Sequence, residues 1–297
     1  MMTAPHDQAM KKLIINADDF GLSGGVNQAV IRAYREGILT STSLMVRGKA
    51  FAEAVSLARE NPGLQVGLHL TLLQGRAVLP PEEQPGLVDR EGNFPTDPVL
   101  TGMRYFFRRS LRGQLYREIE AQILRFRESG LPLSHIDGHL NIHMHPTVFS
   151  ILAELMPKYG ISSFRLTREN LAQDPATDGK RRFGRRLDAF IFACLAENCR
   201  PVLEKLGIFH ADEVKGLLHS GRMTEEYLLK VLAGLKPGCT EIYFHPGCLP
   251  DPELAAWMPD YLHEEELAAL TSPKVREKIT EQEIRLGTYR GEERIDV

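Results

Sequence analysis

Residues His135 to Pro146 read HIDGHLNIHMHP and hold four of the chain's ten histidines. The odd positions carry His, Asp, His, Asn, His and His, while the even ones carry Ile, Gly, Leu, Ile and Met. An extended chain alternates faces with period two, so the segment would show imidazoles and a carboxylate on one side and apolar groups on the other. A solvated strand face is ordinarily built of Lys, Glu and Thr. A half-buried, His-rich edge strand is therefore the bland reading, and a metal or acid/base site the sharper one. On a straight strand His139 and His143 would lie about 13 Å apart, too far to share an ion whose bonds to nitrogen are about 2 Å. The segment is expected to give one ligand, His139, unless the chain turns, and the others must come from elsewhere.

The elements that would position such ligands follow one another regularly. Lys12 to Ala17 is an apolar run ending at Asp18-Asp19, as in a strand buried on both faces. A helical pattern from Val26 to Glu36 stops at Gly37, Ile38 to Val46 is strand-like, Ala50 to Arg59 helical, and Gln65 to Leu73 a strand containing His69. Arg112 to Glu128 and Pro146 to Lys158 read as helices around the His-rich strand, with Pro146 at its favoured first-turn position. Ser162 to Thr167, Ile208 to His210, Thr240 to His245 and Ile284 to Tyr289 are the later strand candidates, separated by helices at Leu187 to Leu206, Glu225 to Leu235 and Ser272 to Glu283. The succession predicts an α/β fold, a single (β/α) barrel of seven or eight strands, irregular in places. No domain boundary interrupts residues 1–297. Residues 74–101 are expected to form a long surface loop, and the basic stretch 174–186 a mobile one.

Barrel chemistry sits at the C-terminal ends of strands. There the sequence places Asp18 and Asp19, His69, Asp137 and His139, and His245. Each alone has a plain explanation, an Asp as a turn or helix cap and a His as a hydrogen-bonded core residue. Their coincidence at one rim points to a metal. Adjacent Asp18 and Asp19 should face opposite ways on a strand, so one would bind the ion and the other would take a proton from a water. One carboxylate, two imidazoles and open positions suit a hydrolytic divalent ion, and His245 is placed to protonate a departing amine. Asp137, His143 and Arg165 are read as substrate contacts, with surface salt bridging the plain alternative for Arg165.

These motifs resemble the YdjC-like carbohydrate deacetylases, which include the diacetylchitobiose deacetylase group. The stretches that carry the resemblance are ADDFGLS (17–23), VGLHLTL (66–72), SHIDGHLNIHMHP (134–146), FHP (244–246) and RLGTYR (285–290). It implies a barrel-like fold that removes acetyl groups from N-acetylated sugars with one divalent ion, Mg or Zn. It also implies Asp19, His69 and His139 as the metal ligands, Asp18 as the base and His245 as the acid. TSTSLMV (40–46), GLHLTLLQGRAVLPPEE (67–83), MRYFF (103–107) and GLPLSHIDGHLNIHMHPTV (130–148) are similar to a branch associated with hopanoid lipid biosynthesis. That branch implies an N-acetylglucosaminyl hopanoid as substrate. Chitobiose-type members often carry a run of histidines where Leu140 and Asn141 stand here, which weighs against chitobiose.

Composition bounds the partners. The chain is 43% hydrophobic and 25% charged with a net charge of −3, which suits neither nucleic-acid binding nor general attraction to membranes. The first ten residues lack the apolar core of a signal peptide, so a cytoplasmic, at most membrane-peripheral, location is expected. Cys194, Cys199, Cys239 and Cys248 show no CxxC spacing and read as ordinary thiols. Met103 to Arg117 and Lys180 to Arg186 combine aromatics with arginines and lack acids, a composition that fits a solvated helix and loop or rest against anionic lipid. A homodimer is compatible with the sequence but not specified by it. Three rival readings remain: a glycosidase, a two-metal phosphoester hydrolase and a non-catalytic sugar- or lipid-binding module.

Overall fold

A computed structural model of the protein describes residues 10–170 and 182–291. Its sheet contains the parallel strands β1 (Lys11–Phe20), β2 (Ser41–Leu44), β3 (Gln65–Leu70), β4 (Leu133–Gly138), β5 (Glu213–Lys215), β6 (Gly238–Phe244) and β7 (Ile284–Leu286). They lie in the order β4-β3-β2-β1-β6-β5, and β7 pairs with the start of β1. The helices are α1 (Gly24–Glu36), α2 (Phe51–Glu60), α3 (Pro98–Phe107), α4 (Arg112–Glu128), α5 (Pro146–Lys158), α6 (Arg182–Leu206), α7 (Glu225–Ala233), α8 (Pro252–Trp257), α9 (His263–Thr271) and α10 (Pro273–Glu281). Between β4 and β5 residues 163–168 bridge the gap. Ile136 N–H donates to Ser163 O at 3.1 Å, Arg165 N–H to Ile136 O at 3.0 Å and Val214 N–H to Arg168 O at 3.0 Å. The sheet thus curls into an irregular (β/α) barrel.

Local sequence explains these elements. Leu13 to Phe20 is buried throughout, as a central parallel strand covered on both faces must be. Helix α1 is capped by Ser23, whose hydroxyl accepts from Val26 N–H at 3.3 Å, and it buries Val26, Ala29, Val30 and Ala33. In β3, a Cβ at Gly67 would collide with the ring of His135 on β4. That ring stacks on Tyr289 with centroids 3.9 Å apart, so the glycine makes room for a contact between the middle of the chain and its last described turn.

Several expectations are corrected. The His-rich strand ends at Gly138, and residues His139–Met144 form a 3-10 segment in which Leu140 and Asn141 have φ of 50° and 55°. Alternation stops there, because left-handed backbone cannot continue a pleat. Ser162 to Thr167 forms isolated bridges rather than a strand. Residues 74–101 end in α3 and are tied down: Gln84 and Leu87 are fully buried, and Glu118 of α4 accepts from the N–H groups of Val78 and Leu79. Most of 174–186 lies outside the described residues, but α6 begins at Arg182 and not at Leu187. Strand β5 and helices α8 and α9 had no place in the sequence reading.

Candidate metal centre

Asp18 and Asp19 end β1 where its register against β2 slips between Ala17 and Phe20, and Asp19 adopts φ 64°. A bulge with a left-handed residue cancels the alternation expected of neighbours, so both carboxylates meet the same rim with different partners. Asp accepts that conformation more readily than most residues, and such backbone clusters at functional sites.

Asp19 faces two imidazoles. Its Oδ1 lies 3.0 Å from His139 Nδ1 and 3.3 Å from His69 Nε2. All three side chains are buried, and their ligand-type atoms fall within 4.8 Å of one another. Among the described residues, Asp19 Oδ2 has no hydrogen-bond partner. Burial alone would raise the Asp19 carboxyl, but His139 and His69 offset that and hold it well below the usual carboxylate range. Burial likewise opposes charge on His69, yet Asp137 and Asp18 raise it to about 10. The cluster demands positive charge, and an orphaned buried oxygen beside two imidazoles fits a divalent cation. Asp18, His69 and Asp137 also lie close enough to hold an ion, but there Arg165 already supplies the cation.

Arg165 anchors the surroundings. It is 1% exposed, and Nη1 and Nη2 donate to the two oxygens of Asp18, each at 2.8 Å. Nη2 also lies 2.9 Å from Asp137 Oδ2, and Nε donates to Glu241 Oε1 at 2.7 Å. The Tyr289 hydroxyl donates to Glu241 Oε2, Ser43 Oγ donates to Asp137 Oδ2 at 2.6 Å, and Asn16 Nδ2 donates to Asp18 Oδ1 at 2.8 Å. Asp18 is therefore fixed in orientation by a bidentate ion pair.

Outside this layer opens a cavity of about 400 Å³ bordered by Asp18, His139, Leu140, Tyr243, His245 and Trp257, among others. His245 Nε2 lies 4.0 Å from Asp18 Oδ2, and its backbone is gripped from both sides. Its N–H donates to Glu266 Oε2 at 2.5 Å, and its carbonyl accepts from His263 Nδ1 at 2.7 Å. Burial pushes the His245 imidazole below its ordinary range.

The structure thus brings Asp19, His69 and His139 together and sets Asp18 and His245 at the cavity wall. Asp137, His143 and Arg165 do not reach it. Asp137 and His143 have no exposed surface, and the polar groups of Asp137 and Arg165 are taken by one another and by their neighbours. His143 Nε2 donates to Arg165 O at 2.9 Å, and burial brings its imidazole down to about 3, so it is neutral. These three lie buried behind the cavity wall. Glu241, Ser43, Asn16 and Tyr289 escaped sequence reasoning. The available signal was an acid inside the apolar run TEIYF and serines inside ILTSTSLMV, polar groups that a buried strand keeps only when paired.

An irregular (β/α) barrel with a buried Asp–His–His cluster at its strand ends belongs to the class of barrels that can hold a divalent cation in a cleft. Residues 12–281 match the family described as YdjC-like protein, and the chain belongs to that family. A carbohydrate deacetylase of Geobacillus stearothermophilus is 30% identical over 279 residues, 93% of this chain and 96% of that protein. One from Thermoanaerobacter pseudethanolicus is 30% identical, covering 94% of this chain and 98% of that one. A carbohydrate deacetylase of Brevibacillus brevis is 41% identical over 152 residues, where the chain spans 57% of that protein's length. A crystal structure of a proposed cellobiose-phosphate cleavage protein from Enterococcus faecalis V583 superposes with a TM-score of 0.74 at 29% identity, covering 95% of this chain and 98% of that one.

Proposed function

We propose that the protein is a metal-dependent N-deacetylase that hydrolyses the acetamide of an N-acetylated sugar. The observation that carries this is the pairing of a cation-demanding Asp19–His69–His139 cluster with Asp18 and His245 on the wall of one cavity. Its full-length relatives named carbohydrate deacetylases support the substrate class. A divalent ion bound there supplies the positive charge that polarises the amide carbonyl and acidifies a water. Two imidazoles among three protein donors suit zinc or a similar first-row metal better than magnesium.

The chain's own residues do the rest. Asp18, oriented by Arg165 and Asn16, takes the proton of the attacking water. His245 Nε2, 4.0 Å away, passes that proton on to the departing nitrogen, so water and amide become acetic acid and free amine. His69 is aligned by Asp137 behind it. The cavity brings Leu140, Tyr243, Trp257 and Tyr261 around the site, apolar and aromatic faces suited to the C–H face of a sugar ring.

The finer reading of the substrate is an N-acetylglucosaminyl hopanoid, supported by the stretches similar to the hopanoid-associated branch. Small oligosaccharides such as chitobiose are the alternative. Acetate release from both substrates with defined metals, using native protein, Asp18→Asn and His139→Ala, tests the proposal. No acetate from either, with any ion, overturns it.

A further inference from the structure

Helix α3 is built inside out. Thr101 and Tyr105 are its buried residues, with the Tyr105 hydroxyl donating to Leu72 O at 2.8 Å. Its large apolar side chains lie outside: Val99 is 67% exposed, Leu100 61%, Met103 46%, Phe106 54% and Phe107 73%. These positions recur at three- and four-residue intervals, which puts them on one stripe of the helix. A soluble surface rarely exposes such a cluster without a use for it. The helix is held in place, since His145 Nε2 donates to Gly102 O at 3.0 Å and Thr147 Oγ1 to Tyr105 O at 3.0 Å.

Asp97 caps the N-terminal end of the helix, but the charge along the stripe and beyond its C-terminal end is positive. From Pro98 to Arg117 there is no Asp or Glu, while Arg104, Arg108, Arg109, Arg112 and Arg117 all fall within that span. Arg112 pairs with Glu154, whereas Arg108 and Arg109 are exposed directly beyond Phe107. A second helix repeats the theme: on α6, Leu187 is 51% exposed, Phe190 66% and Ile191 43%. Both helices border the cavity of the candidate metal centre, α3 through Pro98 and α6 through Asp188 and Phe192.

We infer that the outward face of α3 docks the protein on an anionic lipid bilayer and so brings the cavity mouth to the membrane surface. An apolar stripe with flanking arginines is the composition of an interfacial helix, whose apolar groups enter the headgroup boundary while the cations meet lipid phosphate. A second copy of this chain is the other occupant such a stripe could take, and the sedimentation arm of the test separates it from lipid. No helix among the described residues is long and apolar enough to cross a membrane, so the attachment is to the surface. The inference rests on the deacetylase reading only for what is processed at that surface.

The test is co-sedimentation with phosphatidylcholine vesicles, with and without phosphatidylglycerol, using no substrate. Native protein is expected to bind the anionic vesicles, more weakly as salt rises. Met103→Ser/Phe106→Ser/Phe107→Ser is expected to lower partitioning by about tenfold or more, and Arg108→Glu/Arg109→Glu to lower it similarly. Zinc binding by calorimetry is expected to be the same in all three proteins, which shows that the variants are folded. Failure of the native chain to bind anionic vesicles, equal binding to neutral ones, or unchanged binding by either variant overturns the inference. So does sedimentation showing that the apolar variant abolishes a dimer. Because this readout contains no catalysis, a protein that binds vesicles yet releases no acetate would sink the deacetylase reading alone.

Discussion

Asp137 Oδ1 accepts from His69 Nδ1 at 2.8 Å, which turns the opposite nitrogen of the ring, Nε2, toward Asp19. Asp137 in turn is held by Ser43 and Arg165, so the ring's angle is set by two layers of buried contacts. A ligand oriented in this way binds without first losing rotational freedom.

Asp137→Asn should therefore weaken metal binding by about 10–100-fold while leaving the three proposed ligands in place. Titration with zinc, read by calorimetry, checks it. An affinity equal to that of the native protein would show that the Asp137 contact does not tune the site.

His139→Ala removes one of the three proposed ligands and is expected to abolish both stoichiometric zinc binding and acetate release. Dialysis against a chelator should silence the native protein, and adding back zinc should restore it. Activity that survives chelation would place the chemistry on side chains alone.

Arg165→Leu leaves Asp18, Asp137 and Glu241 facing one another in the interior without their shared cation. A loss of about 3–5 kcal/mol in unfolding free energy is expected, because breaking a buried pair strands a charge that water no longer solvates. Urea denaturation measures it, and a loss below about 1 kcal/mol would show that water reaches the cluster.

Glu266 makes stability depend on pH. Burial pushes its carboxyl up to about 7 from 4.5, against the pull of the Met223 and His245 N–H groups. A carboxyl that holds its proton more tightly when folded contributes stability fully below its unfolded value. That contribution fades as pH rises through the folded value, here between about 4.5 and 7. Denaturation midpoints across that window should fall with rising pH in the native chain and fall less in Glu266→Gln. Parallel curves would refute the assignment.

Much of this was legible in the amino-acid order because parallel strands are marked by unbroken apolar runs. KLIINA, QVGLHL and TEIYF each appear in the sheet, and helices Arg112–Glu128 and Pro146–Lys158 begin and end where their stop and start residues suggest. The three ligand-type residues were findable since each ends or nearly ends such a run. What the order concealed arises from contacts remote in sequence. Nothing near Arg165 announces that it spans Asp18, Asp137 and Glu241. Nothing in a strand pattern foretells that Asp19, Leu140 and Asn141 turn left-handed, which is what reorients Asp19 and ends the His-rich strand early. Short β5 carries too few residues for periodicity to register.

The pairing of β7 with the first residues of β1, and of Tyr289 with Glu241, has a consequence for biosynthesis. A ribosome delivers Asp18 147 residues before its partner Arg165, and Glu241 48 residues before Tyr289, so each buried acid is made ahead of the group that pairs it. Native contacts spanning so much of the chain also favour slow assembly. Until those partners arrive the half-made barrel holds carboxylates that only later residues neutralise.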